Sequence, residues 1–185
     1  MNDQIKQDLF RYVGNDCHRL LMQLRYIIFT PGFRYIYYLR KVQQGGNFKF
    51  FWLVMQRLCM ERTLIQIPYQ TQIGEGLYIG HFGHIIINPG SKIGKNFSVA
   101  AGVLIGNAQG KCAGTPTIGD NVRVGQNAIV IGKINIGNDV LIAPGAFVNF
   151  DVPDNCIVIG NPGKIIQRTS SPTVQYIVYP VQNYQ

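Results

Sequence analysis

Apolar positions in the second half of the chain recur every six residues. Between residues 73 and 143, nine pairs of an aliphatic residue and a following glycine or alanine keep one phase, and five of their eight separations are six residues. These pairs begin at Ile73, Ile79, Ile93, Val99, Ile105, Ile118, Val124, Ile136 and Ile142. A helix would repeat its apolar positions every three or four residues, and a half-buried strand would alternate. A period of six predicts a parallel β-helix, in which each short strand forms one side of a coil.

The residue types at the repeat positions fit this geometry. The aliphatic residue points inward and stacks on its equivalents in neighbouring coils, and the next residue sits near a turn where glycine or alanine fits. Three sides make a coil of about 18 residues, so residues 73–165 hold about five coils.

Residues 1–65 have helix-like apolar spacing instead. NDQIKQDLFRYV, CHRLLMQLRYIIF, FRYIYYLRKVQQ and NFKFFWLVMQRLCMERT each predict a helix, with Pro31-Gly32 ending the second and Gly45-Gly46 separating the last two. An open β-helix end exposes strand edges, so these helices are expected to cap one.

The chain therefore divides into an α-helical region (1–65), a β-helix (66–168) and a C-terminal tail (169–185) without charge. The tail's VQYIVYPV stretch is strand-like, and either packs on the helix or a neighbouring subunit or hangs loose.

The charge is concentrated in the helical region. The whole chain carries +8, and residues 1–65, with ten Lys/Arg and four Asp/Glu, carry +6 of it. Basic and aromatic residues together suit nucleic acid, an anionic membrane or an anionic substrate. Acidic residues are interspersed and no DNA- or RNA-binding motif occurs, so nucleic acid is not expected. A plain structural cap and a peripheral contact with the inner face of the membrane both stay open.

Location follows from what the chain lacks. Its four cysteines are scattered without a CxxC pair, Met1 to Phe10 is too polar for a signal peptide, and the longest apolar runs fall far short of the ~20 residues that span a bilayer. We expect reduced thiols and a cytoplasmic protein.

Three stretches resemble the hexapeptide-repeat acyltransferases: IPYQTQIGEGLYIGH (67–81), PTIGDNVRVGQNAIVIGKINIGNDVLIAPGAFV (116–148) and VPDNCIVIGNPGKII (152–166). Within that group the chain is most similar to serine O-acetyltransferase and to O-acetyltransferases of surface-polysaccharide synthesis. The resemblance implies a mainly β fold, a left-handed β-helix with an N-terminal helical cap, against the usual right-handed crossover. It also implies acetyl-CoA as acyl donor and a homotrimer with its site between two subunits.

The resemblance makes His81 the general base. Acetyl transfer to an alcohol requires removal of the hydroxyl proton, and an imidazole can take that proton and pass it to the leaving thiolate. The family carries a carboxylate fifteen residues before this histidine, where this chain has Gln66. A glutamine oxygen can accept the imidazole N–H and fix the tautomer, but it offers no charge. Gly80 likewise replaces an aspartate of the motif.

The acceptor side also departs from the serine pattern. Thr115 stands where serine acetyltransferases carry an acceptor-binding histidine, and the loop Asn107–Thr115 lacks an arginine. These losses favour a sugar over serine. His84 has no counterpart in the motif, and either reaches the acceptor or lies in a solvent-exposed loop.

The resemblance also names donor contacts. Acetyl-CoA would lie in a groove between coils, and no GxGxxG or P-loop motif suggests another nucleotide. Main-chain contacts are expected at Gly106, Asn107, Gln126 and Pro144, and phosphate contacts at Lys111 and Lys164. The loop Asn107–Thr115 is a predicted lid, flexible at Gly110 and Gly114.

Several functions compete. The sequence favours an acetyl-CoA-dependent O-acetyltransferase acting on a sugar hydroxyl, free or lipid-linked, in capsular or surface-polysaccharide synthesis. Alternatives are a serine O-acetyltransferase of cysteine biosynthesis and a non-catalytic β-helix scaffold. Gamma-class carbonic anhydrases share the fold, but their zinc needs three histidines and the repeat region offers only His81 and His84, so no metal is expected.

Overall fold

The protein is described from a computed structural model, which covers residues 1–184 except for the side chain of Lys111. Four helices come first: α1 (Asp3–Val13), α2 (Leu20–Phe29), α3 (Pro31–Gln44) and α4 (Lys49–Thr63). Fifteen short strands follow: β1 (Ile65–Gln66), β2 (Gln72–Ile73), β3 (Tyr78–Ile79), β4 (Ile85–Ile87), β5 (Lys92–Ile93), β6 (Ser98–Val99), β7 (Leu104–Gly106), β8 (Thr117–Ile118), β9 (Arg123–Val124), β10 (Ile129–Ile131), β11 (Asn135–Ile136), β12 (Leu141–Ile142), β13 (Phe147–Val148), β14 (Cys156–Ile159) and β15 (Lys164–Gln167). Short 3₁₀ helices occupy Gly14–His18, Gly110–Cys112 and Val181–Asn183.

The four predicted helices are confirmed, and local signals set their ends. The Asn2 side chain accepts a hydrogen bond from the Ile5 N–H at 3.1 Å and so caps α1, and Gly14 with φ 59° ends it. Pro31 does more than stop α2, because its fixed φ suits the first position of α3. Gly45, with φ 73°, then ends α3.

The strands form three sheets, each one side of a parallel β-helix. Sheet A has the order β1-β4-β7-β10-β13, sheet B β2-β5-β8-β11, and sheet C β3-β6-β9-β12-β14-β15. Among the strands of residues 1–184, only β15 is antiparallel to its neighbour. Strands β1 to β12 make four turns of three strands, which confirms the parallel β-helix. The next turn holds β13, a single bridge at Val152 and β14, so the prediction of about five coils depends on counting that turn.

The inward aliphatic residues stack in register, as the repeat predicts. Ile79, Val99, Val124 and Ile142 follow one another along sheet C, and all are buried. The glycines after the stacked residues have a steric reason. A Cβ on Gly74 would lie 2.8 Å from the backbone carbonyl carbon of Gly94 in the next coil, closer than van der Waals contact allows.

A buried ion pair joins the helices to the first coil. Arg40 and Asp8 are almost inaccessible, and Arg40 Nε lies 2.8 Å from Asp8 Oδ2. Arg40 donates to the carbonyls of Ile73 and Gly74, while Asp8 accepts from the N–H groups of Gly76 and Leu77 at 2.8 Å each. Burial raises the pKa of Asp8, and Arg40 opposes this. The pair satisfies backbone groups of the first coil that no preceding coil can reach.

Other helix side chains cap the same coil at further points. The Tyr35 hydroxyl accepts from the Ile67 N–H at 3.0 Å and donates to the Ile67 carbonyl at 3.1 Å. Tyr12 pairs in the same way with Ile79. Arg11 donates to the Gly76 carbonyl, and burial lowers the pKa of Arg11 to about 10, so it remains charged at neutral pH. The predicted helical cap thus works through individual side chains.

The tail packs back on the protein, but the strand expected for VQYIVYPV is wrong. These residues form turns and the start of the last 3₁₀ helix. The Asn96 side chain, in a β-helix turn, accepts from the Val181 N–H at 2.8 Å, and the Tyr184 hydroxyl donates to Asp3 at 3.0 Å. Side-chain contacts of this kind, rather than strand pairing, hold the tail, because β-helix turns offer polar side chains and no free strand edge.

The buried pair gives a stability prediction. Asp8→Asn removes the charge that compensates Arg40, and breaking a buried pair costs about 3–5 kcal/mol. We expect the free energy of unfolding, measured by urea denaturation at one protein concentration, to fall by that amount. Glu61→Gln is the matched control, because Glu61 pairs with Arg57 at a similar 2.9 Å but on the surface. Equal, small losses in both variants would contradict the capping role of the pair.

Candidate functional site

The two histidines lie in the loop between β3 and β4. His81 and His84 are both exposed, and Phe82 between them is 55% exposed. Gly83 has a φ of 147°, a conformation that other residues rarely adopt, and its Cβ position lies 3.2 Å from Ala101 in the next coil. This loop is the edge of the prism where sheet C passes into sheet A.

Strand register places other predicted site residues on the same edge. His81 follows Ile79 by two residues, just as Gln126 follows Val124 and Pro144 follows Ile142, and those three aliphatic residues are stacked in sheet C. His81, Gln126 and Pro144 therefore occupy equivalent corners of different coils. Gln126 and Pro144 are both exposed, and the Gln126 carbonyl accepts from the Gly145 N–H at 2.8 Å.

Gln66 lies on the outer face of sheet A. It pairs in register with Ile86, and its side chain is exposed while that of Ile65 is buried. His84 directly precedes β4, the strand whose Ile86 is in register with Gln66. Across residues 1–184, no hydrogen bond joins Gln66 to either histidine, and its predicted role in orienting His81 stays a prediction.

An apolar row continues from Gln66 across the outer face of sheet A. Ile86, Leu104, Ile129 and Phe147 follow one another in register. Ile86 is 38% exposed and the other three are half-buried. Outward positions of sheet B hold Gln72, Lys92, Thr117 and Asn135 instead. Sheet A is thus the apolar side of the prism, and His81, Gln126 and Pro144 line one of its edges.

The opposite edge of sheet A carries the second group of predicted residues. Gly106 ends β7, where its carbonyl accepts from the Gly132 N–H at 3.2 Å, and Asn107 beyond it is exposed. Thr115 donates its hydroxyl to the Gly90 carbonyl at 2.8 Å. That bond gives Thr115 a structural use, although its oxygen can still accept a hydrogen bond.

The predicted lid is a closed excursion from this edge. Ala108 and Gly114 exchange backbone hydrogen bonds at 3.1 and 3.2 Å, so the loop begins and ends at the same place. Gly110 has open space around its Cβ position, whereas a Cβ on Gly114 would lie 2.9 Å from Lys133 Cβ. An added side chain would therefore clash at Gly114 and find open space at Gly110, and the predicted flexibility of both glycines stays a prediction. The Lys111 side chain lies outside the described part of the structure.

Lys164 lies near the far end of the apolar row. It is exposed at the start of β15, and Gly163 before it donates to the Phe147 carbonyl at 3.0 Å. The predicted residues thus surround one face of the prism without forming an enclosed pocket. In the described residues no three His, Cys, Asp or Glu side chains converge as a metal site.

The sequence did not reveal what holds Gln66 in place. Ile67 beside it is pinned by Tyr35, and Gln56 in α4 donates to the Ile67 carbonyl at 3.2 Å. The available signal was a glutamine directly after six apolar residues, in FFWLVMQRL. A buried glutamine needs partners, and the sequence could not say which.

Comparison with known proteins identifies the family. The bacterial transferase hexapeptide family (six repeats) matches residues 115–149. A serine acetyltransferase of Synechococcus elongatus is 35% identical over 130 residues, which are 64% of this chain but only 53% of that enzyme, so the chain spans about half its length. The serine acetyltransferase of Helicobacter pylori is 32% identical over 146 residues, which are 77% of this chain and 85% of that enzyme.

A solved structure shows the same architecture. The serine acetyltransferase of Brucella abortus in complex with coenzyme A superimposes with a TM-score of 0.72 at 25% identity, over 90% of this chain and 68% of that one. This likeness supports the left-handed sense of the β-helix. Three findings point to the same family: the six-residue repeat, the helical cap and a relative that aligns over most of both chains. The chain belongs to the hexapeptide-repeat acyltransferases of the serine acetyltransferase type.

Proposed function

We propose that the protein is an acetyl-CoA-dependent O-acetyltransferase. The main support for this proposal is that His81 occupies the same corner position, at one edge of sheet A, as Gln126 and Pro144 of later coils. A donor lying along this edge would bring its thioester to His81. The imidazole takes the proton of the acceptor hydroxyl as the oxygen attacks the thioester carbonyl, and passes it to the departing thiolate. An acetyl ester and free coenzyme A result.

The donor contacts remain those expected from the sequence. The Brucella relative is described as a complex with coenzyme A, and this supports the same donor here. Gly106 and Asn107 at one edge of sheet A, and Gln126 and Pro144 at the other, would flank it. Lys164 would meet a phosphate as a point charge.

For the acceptor, the relatives favour serine over the sugar expected from the sequence, since those compared with this chain are serine acetyltransferases. Serine is therefore the first acceptor to test. A sugar hydroxyl remains the second candidate for a specific reason: Thr115 stands where the family pattern has an acceptor-binding histidine, and its hydroxyl is already bonded to the Gly90 carbonyl. The role in surface-polysaccharide synthesis stays a prediction.

A homotrimer would complete the site. The apolar row on the outer face of sheet A is uncovered in a single chain, and a neighbouring copy placed there would bury it and close the donor groove. The alternative is a non-catalytic scaffold, which the missing carboxylate at Gln66 keeps open.

The test is release of coenzyme A from acetyl-CoA, followed with a thiol reagent, against serine, free sugars and nucleotide- or lipid-linked sugars. Turnover above the rate without acceptor supports the proposal and names the acceptor. No acceptor-dependent turnover across the panel would favour the scaffold.

His81→Ala should lower turnover by ~10²-fold or more while acetyl-CoA binding is kept, because only proton transfer is removed. His18→Ala is the control, since His18 lies in the helical region and stacks on Tyr184 at 5.4 Å. Wild-type turnover in His81→Ala would remove His81 as the base.

Gln66→Glu restores the carboxylate that the family pattern carries. A negative charge beside the imidazole stabilises its cation, so turnover should rise, whereas Gln66→Ala should lower it. Steady-state rates at several pH values measure both. If the two variants match the wild type, Gln66 does not contact the base.

Location is a separate proposal. Within the described residues, no helix has the length and apolarity needed to cross a bilayer. The helical region nevertheless exposes large apolar side chains, among them Leu21 (81%), Phe29 (76%) and Phe50 (78%), beside Arg25 and Lys49. We propose a cytoplasmic protein that contacts the inner membrane surface peripherally through residues 1–65.

Co-sedimentation with vesicles measures that contact. Each Lys or Arg near an anionic surface contributes ~1 kcal/mol, so the protein should pellet with anionic vesicles at low salt and be released at high salt or with neutral vesicles. Arg25→Glu should weaken pelleting, and Lys133→Glu in the β-helix serves as control. Equal, negligible pelleting in all conditions would leave residues 1–65 as a structural cap.

A further inference from the structure

Gly80, the residue before His81, leaves room for a neighbouring side chain. A Cβ added at Gly80 would lie 3.1 Å from Cε1 and 3.4 Å from Oη of Tyr78, and its three nearest atoms all belong to that one side chain. Tyr78 is two residues earlier, at the outward position of β3. Its phenol therefore fills the space that a side chain at position 80 would enter.

The backbone does not require glycine at this position. Gly80 does not have a positive φ, and the equivalent residues of the next coils along sheet C are Ala100, Gly125 and Ala143. The two alanines show that this place in a coil can hold a Cβ. Gly125 has a different cause, because a Cβ there would lie 2.6 Å from a backbone nitrogen of the following coil. At Gly80 the reason for glycine is the room that it gives to the phenol.

Two anchored side chains hold the ring of Tyr78. The ring centroids of Tyr78 and Tyr12 are 4.5 Å apart, and the Arg11 guanidinium carbon lies 5.7 Å from the Tyr78 centroid. The Tyr12 hydroxyl is bonded to the Ile79 backbone, and Arg11 donates to Ser98 Oγ at 3.0 Å. Because its neighbours are fixed, the ring has little freedom to lose when a ligand bonds to its hydroxyl.

The hydroxyl of Tyr78 is available to a ligand. The side chain is half-buried, and across residues 1–184 no hydrogen bond joins this hydroxyl to another protein group. The hydroxyls of Tyr12 and Tyr35, in contrast, each bond in both directions with a backbone group. Gly80 and His81 are consecutive and both exposed, so the Tyr78 hydroxyl borders the surface that an acceptor at His81 would occupy.

A phenol makes this border neutral. Its O–H can donate to an oxygen of the acceptor, and its lone pairs can accept from a further hydroxyl. A carboxylate in the same space would only accept hydrogen bonds, and its charge would attract an ammonium group. The side chain that occupies this space therefore decides which substituent is favoured beside the reacting hydroxyl.

We propose that Tyr78 binds the acceptor. Its hydroxyl hydrogen-bonds an oxygen of the acceptor while His81 takes the proton of the reacting hydroxyl, and it favours an oxygen over an ammonium group at this point. Gly80 contributes by leaving space for the phenol. This inference rests on the proposed O-acetyltransferase function and adds a residue that determines its specificity.

Tyr78→Phe removes the hydroxyl and keeps the ring. With the acceptor that the coenzyme A release assay identifies, kcat/KM for the acceptor should fall by about three- to tenfold, because one hydrogen bond is lost, while KM for acetyl-CoA is unchanged. Tyr176→Phe is the matched control. It removes the same atom from a ring that packs 4.7 Å from Arg123, two coils away on the same sheet. Wild-type kinetics in Tyr78→Phe, or equal losses in both variants, would overturn the inference and leave the proposed function intact.

Two substitutions at Gly80 test the charge at this place. Aspartate and asparagine have the same shape and both displace the phenol, but only aspartate brings a charge. Serine is compared with glycerate, and glucosamine with glucose, since each pair differs by an ammonium group in place of a hydroxyl. The ratio of kcat/KM between the ammonium and hydroxyl members of the accepted pair should be about fivefold or more higher in Gly80→Asp than in Gly80→Asn. Equal ratios would show that the acceptor does not contact this position, and the inference would be wrong.

If no acceptor reacts, the transferase proposal has failed and binding decides on Tyr78. The protein is labelled with fluorotyrosine, and the fluorine resonance of Tyr78 is assigned by its loss in Tyr78→Phe. The same four compounds are then added in the presence of coenzyme A. A shift of the Tyr78 resonance without a shift of the Tyr176 resonance supports binding at Tyr78. No shift, or a shift common to both resonances, overturns it.

Discussion

The unpaired edge of the first coil is the constraint on which the rest of the structure depends. Each coil satisfies its backbone N–H and C=O groups with the coil before and the coil after it, and the first coil has no coil before it. The helices supply the missing partners through side chains: Asp8 and Arg40 at β2, Tyr12 at β3 and Tyr35 after β1. The ion pair between Asp8 and Arg40 is buried because it bonds to these backbone groups. Its four backbone contacts compensate for its desolvation.

This capping also shapes the candidate site. Tyr35 and Gln56 both bond to the Ile67 backbone, and this fixes the position of Gln66, the residue before it, at the end of β1. The same helices therefore end the β-helix and position the residue that stands where the family pattern has a carboxylate.

The sequence predicted the repeating coils and the four helices, whose signals are local, and missed the side-chain contacts between distant parts of the chain. The period of six gave the parallel coils and the inward stack from Ile79 to Ile142, because every coil repeats the same steric requirement. Register then brought His81, Gln126 and Pro144 to one edge, which the spacing implied but did not state. Asp8, Arg40 and Tyr35 were out of reach, since their partners are backbone groups more than thirty residues away. The prediction of a strand in the tail was wrong for a similar reason. VQYIVYPV has the composition of a strand, but the contacts of the tail depend on Asn96 and Asp3 elsewhere in the chain.

The closed excursion between Ala108 and Gly114 shows how such a fold can change its chemistry. The strand register is unchanged after this loop, since Ile118 still pairs with Ile93 and Val130 with Ile105. Loop length costs little free energy because the entropy of closure grows only slowly with added residues. Evolution can thus lengthen, shorten or rewrite this segment as an independent module, while the coils beneath it keep their register and the histidine edge keeps its place.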